Sequence, residues 1–108
     1  MNSTTGWKLF RLRKNGTLGP LFINRRQVVP VGGDFLPAEA HKTAGFAYRP
    51  GWHATPEPVA PHLKKEPKHE KRVWCKVELK DVRPINKPEA QGGEWYLAGA
   101  MRVTSIEW

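Results

Sequence analysis

The side chains best equipped for chemistry in this chain are four histidines, His41, His53, His62 and His69, a single cysteine, Cys75, and a late carboxylate, Glu94. Neutral imidazoles hold zinc well, but no pair here has the short spacing that sets two ligands on one helix face or turn, and Cys75 has no CxxC partner. The expectation is that no metal is bound. A cysteine nucleophile needs a neighbouring base and a lowered pKa, whereas Cys75 alternates with valines in VWCKV and reads as a buried, inert thiol. No phosphate-cradling glycine loop, GxSxG elbow or HExxH helix occurs.

Cationic residues are more numerous than these groups. Lys8, Arg11, Arg13 and Lys14 with Arg25 and Arg26 form one group, and Lys64, Lys65, Lys68, Lys71, Arg72 and Lys76 form another, each with aromatic rings nearby. Cations beside exposed rings suit a single-stranded nucleic acid, which offers phosphates to the first and base faces to the second. The competing reading places most of the rings in the core, because a small domain has few other large apolar side chains.

At 108 residues the chain supports one domain with one modest core. Its net charge of +8 and pI near 10 favour an acidic partner. One cysteine precludes an internal disulfide and fits a reducing compartment. The first residues lack the apolar region of a signal peptide, and no run is long enough to span a membrane, so the cytoplasm is the expected location.

The elements that must position these groups are mainly strands. Ten prolines and ten glycines leave little room for helices. After a small, polar lead-in over residues 1–6, expected to be disordered, the single domain spans 7–108, and WKLFRLR alternates Trp7, Leu9 and Arg11 with Lys8, Phe10 and Leu12. Asn15-Gly16 then signals a tight hairpin turn into a return strand over Leu18 to Ile23, which Gly19-Pro20 restricts to an edge. Gln27 to Val31 reads as a further short edge strand, and Phe35 to His41 as a loop burying Phe35 and Leu36. In GFAYRPGWHATPEPVAPHL, from Gly45 to Leu63, Thr55 would cap one irregular helical turn, which Pro61 cuts short. Lys64 to Arg72 reads as a solvated basic loop.

Val73, Cys75, Val77 and Leu79 face inward on a central strand, with Trp74, Lys76, Glu78 and Lys80 facing outward. Asp81 to Gly93 reads as a loop, followed by two strands, Trp95 to Ala98 and Ala100 to Ile106, broken at Gly99. The expected fold is a small α+β domain, mostly β, of five to seven short strands with one or two helical turns.

From WKLFRLRKNGTLGPLFIN through GFAYRPGWHAT and VWCKVEL to GEWYLAGAMRV, the chain resembles a family of small, largely uncharacterised domains of bacteriophages and mobile elements. More distantly it resembles the ADP-ribosyltransferase fold, including its RNA 2'-phosphotransferase relatives. That resemblance implies a bound NAD, with Arg11 as dinucleotide anchor, Trp52, His53 and Thr55 on the nicotinamide side, and Glu94 as catalytic carboxylate, His53 beside it. A carboxylate there would stabilise an oxocarbenium-like state. The expected function is that of a phage-type accessory protein, for host takeover or counter-defence, with such a pocket acting on a host protein or nucleic acid. The alternatives are a noncatalytic nucleic-acid-binding module using Arg25, Arg26 and the 64–72 loop, and a stoichiometric blocker of a host protein.

Overall fold

A computed structural model describes residues 3–21, 27–37, 51–58 and 71–107. Six strands make one antiparallel sheet: β1 (Thr4–Leu12), β2 (Leu18–Gly19), β3 (Leu36–Pro37), β4 (Trp52–Ala54), β5 (Lys71–Asn86) and β6 (Glu94–Glu107). The order is β2-β1-β5-β6-β3, and β4 also pairs with β6. One 3-10 turn, Glu89–Gln91, lies between β5 and β6. The mostly-β expectation holds, with two of the strands long rather than short.

Alternation creates the core. Val73, Cys75, Val77 and Leu79 are all buried on one face of β5, opposite Phe10 of β1 and Met101 and Val103 of β6. Two irregularities curl this sheet. A register shift at Lys76/Val77 lets Val103 and Ile106 both pack on the core, and Thr104 there donates to the Lys76 carbonyl at 3.1 Å. Asp81, with φ of 55°, faces Gly99 at a corner beyond which Val82 and Ala98 take over the core positions.

Curling carries β4 round to β1, where Trp7 and Thr55 exchange two backbone hydrogen bonds of 2.8 Å. The ring β1-β5-β6-β4 thus closes. Gly6 makes the closure possible, since a Cβ there would lie 3.1 Å from Leu79 Cδ1 and 3.2 Å from the Thr55 carbonyl. Gly6→Val is therefore expected to lower unfolding free energy by about 1–3 kcal/mol, read from denaturant titration.

Several sequence expectations are corrected. β1 begins at Thr4, so residues 4–6 of the lead-in expected to be disordered are strand, held by pairing with Val77 to Leu79. Thr55 extends the pairing of β4 instead of capping a helix: its N–H goes to Trp7, and its hydroxyl donates to the carbonyls of Glu57 and Trp7. Residues 81–86 continue β5 in place of a loop. Pairing with β1 ends at Leu79, so Pro84 falls where β5 has lost that neighbour and a missing donor is tolerated. β6 runs unbroken through Gly99. Gln27 to Val31 forms two single bridges, Val29 to Leu18 and Val31 to Val103, because Pro30 separates them and their directions differ. Leu36–Pro37, read as loop, pairs with Met101 and Ala100.

The tight turn after β1 is as expected: Gly16, at φ of 87°, donates to the Arg13 carbonyl, and Asn15 accepts from the Thr17 backbone and hydroxyl. The return strand lies at the sheet edge, though only Leu18–Gly19 is strand among the described residues. Residues 22–26, 38–50 and 59–70 lie outside the description, and with them most of the aromatic stretch and the basic loop.

Candidate nucleic-acid interface

The register that buries one face of β5 turns the other outward. Arg72, Trp74, Lys76, Glu78 and Lys80 occupy that face at every second position, and none of them is buried. Their cross-strand partners extend it. Arg11 stands opposite Arg72, Leu9 opposite Trp74 and Trp7 opposite Lys76 on β1; on β6, Arg102 stands opposite Glu78 and Glu107 opposite Trp74. Five cations and two carboxylates thus share the face.

Placing two arginines directly opposite one another on neighbouring strands costs roughly 0.2–1 kcal/mol in sheet stability. Glu78 is engaged by Arg102, whose Nη2 donates to both carboxylate oxygens at 3.1 Å. Lys80 and Arg102 lie 4.1 and 4.4 Å from the centre of the Phe35 ring, so that ring is already occupied by cations. Lys76 is exposed, and Trp7 and Trp74 are half-buried beside it. The face can hold phosphates along β5 and offers partly open indole rings next to them.

Some cations serve the fold instead. Arg13, counted in the first basic group, donates to the Leu18 and Gln27 carbonyls at 2.8 and 2.9 Å, and lies against Gly19, where a Cβ would sit 2.4 Å from its Nη2. Lys8 belongs to the core face, opposite Cys75. Its ammonium donates to the His53 carbonyl at 2.6 Å and lies 5.8 and 5.9 Å from the centres of the Phe10 and Trp52 rings. Burial, reinforced by repulsion from Lys87, brings its pKa down to about 8. Burial, with Glu107 adding to it, pushes the Cys75 thiol up to about 12, in keeping with an inert sulfur.

The residues implied by the transferase resemblance are placed as follows. Arg11 pairs with Arg72 near the start of β5, and Glu94 pairs with Asn86 at its other end. Trp52 is buried in the core with its indole N–H on the Leu36 carbonyl, Thr55 is buried in the β1–β4 closure, and half-buried His53 stands opposite Leu97. Glu94 is exposed. A cleft of about 400 Å3 is lined by Asp81, Val82, Arg83, Leu97, Ala98 and Gly99, and Arg11, His53 and Glu94 are not among its walls. Of the nucleic-acid residues expected, Lys71 and Arg72 open β5. Arg25, Arg26, Lys64, Lys65 and Lys68 lie outside the described residues.

No family model, curated protein or solved structure matches this chain. Its surface chemistry has to stand alone. Lys76 belongs to the second basic group read from the sequence, whereas Lys80, Arg102, Trp74 and Phe35 do not, although the alternation along VWCKVELK already turns Trp74 and Lys80 outward beside Lys76. Arg102 and Phe35 join them only through the pairing of β5 with β6 and the path of the 33–37 segment.

Proposed function

We propose that the protein is a noncatalytic nucleic-acid-binding module whose contact surface is the outward face of β1, β5 and β6. The observation that carries this reading is the line Arg72, Lys76, Lys80 on one strand face, bordered by Arg11 and Arg102 and interleaved with Trp7 and Trp74. A net charge of +8 supports the same partner class. In this reading the protein works in the cytoplasm of a bacterial host as a phage-type accessory factor. Among the described residues no helix is long and apolar enough to cross a membrane.

The reading is tested by fluorescence anisotropy with a mixed-sequence oligonucleotide over a salt series. If three β5 cations neutralise phosphates of a single strand, log K falls against log salt with a slope of about −2 from these residues alone. A salt-independent affinity, or no binding at low salt, overturns it.

A further inference from the structure

Resting on that reading, we infer that the ligand is a single strand following β5, with Trp74 as the platform on which an unpaired base stacks. Outward residues on a strand repeat every second position, so Arg72 and Lys76 stand about 13 Å apart, with Trp74 midway between them. A base held on Trp74 therefore has a cation on either side along β5 for the flanking phosphates. Trp7, opposite Lys76, occupies the position diagonal to Trp74, at a separation of about 7–8 Å that aromatic side chains bridge. The second indole widens the platform without blocking the line of cations. Phe35 is unsuited to the same task because Lys80 and Arg102 already occupy it.

A duplex keeps its base faces stacked inside and presents only phosphates and groove edges to such a surface. Half-exposed indoles between cations add affinity only for unpaired bases. The alternative role for Trp74 is to roof Leu9, its cross-strand partner, which is 4% exposed although it lies on the outward face. A leucine at position 74 would still roof Leu9 but would remove the stacking surface.

The experiment compares wild type, Trp74→Leu and Trp74→Phe for binding to an oligothymidylate, a duplex of equal length and inorganic polyphosphate. Expected are preference for the single strand over the duplex, a loss of about tenfold in oligothymidylate affinity for Trp74→Leu, partial retention in Trp74→Phe, and unchanged polyphosphate binding. An equal loss for oligothymidylate and polyphosphate, no loss for either, or equal affinity for duplex and single strand overturns the stacking platform while leaving the basic interface standing. Failure of wild type to bind any of the three overturns both.

Discussion

Replacing Arg72, Lys76 and Lys80 together with glutamine is expected to weaken nucleic-acid binding about a hundredfold near 0.1 M salt. On a single strand each neutralised phosphate contributes roughly 0.7 to the slope of log K against log salt, so three lost contacts amount to about two decades at that concentration. The loss should shrink as salt rises, and the variant's slope should be shallower by about 2. Lys76 is exposed, whereas Lys80 lies 4.1 Å from the centre of the Phe35 ring, so a small drop in melting temperature is expected from the loss of that contact. Anisotropy across a salt series measures the slope, and thermal unfolding checks the fold. A triple glutamine substitution at Lys87, Glu89 and Glu94, around the turn from β5 into β6, should leave affinity within about twofold, since those positions lie beyond the line of cations.

The second large effect concerns stability at alkaline pH, where two groups on one core face act in opposite directions. Lys8 has a pKa of about 8 in the folded chain against 10.5 unfolded. Below pH 8 both states hold the proton and the folded state bears the full penalty of a buried ammonium. Between 8 and 10.5 the unfolded state holds more protons, so stability rises by up to about 1.4 kcal/mol per pH unit. Cys75 shifts the other way, to about 12 from 9.0. Above pH 9 the unfolded thiol ionises while the buried one does not, and stability falls at a similar rate.

The two contributions give a profile that climbs from pH 8 to 9, levels to about 10.5 and then declines. Cys75→Val should continue climbing to about 10.5, while Lys8→Met should show no rise and begin to fall near pH 9. Urea titration of the three proteins at half-unit pH steps measures this. Parallel profiles for wild type and Lys8→Met would mean that the Lys8 ammonium is not desolvated in the folded chain.

Much of the fold was legible because one strand carries a strict alternation. Val73, Cys75, Val77 and Leu79 define the core face without reference to any partner, and the same pattern turns Trp74, Lys76 and Lys80 outward. Asn15-Gly16 fixed the first turn locally. What could not be read depended on partners distant in sequence. Residues 81–86 look like a loop because of Pro84, and become strand through pairing with 94–98. Thr55 looks like a helix cap, yet its backbone is claimed by Trp7, 48 residues away.

The candidate surface was legible to the same degree. Its β5 side chains follow from alternation, whereas the clustering of Phe35, Glu78 and Arg102 requires three segments to be brought together. Lys8 illustrates the converse. Its alternation with Phe10 and Leu12 already put it on one side of its strand, but that this was the core side, with the amine held by the His53 carbonyl, follows only from β4 closing onto β1.

The most direct test of the nucleic-acid interface is a heteronuclear NMR titration of the labelled protein with a short oligothymidylate. The account predicts that amide shifts concentrate at Arg72 to Lys80, at Trp7 to Arg11 and around Arg102, with the indole N–H of Trp74 among the largest, while Lys87 to Trp95 stay in place. Shifts centred on Glu94, His53 and the Arg83–Leu97 cleft, or no shifts at saturating oligonucleotide, would contradict it.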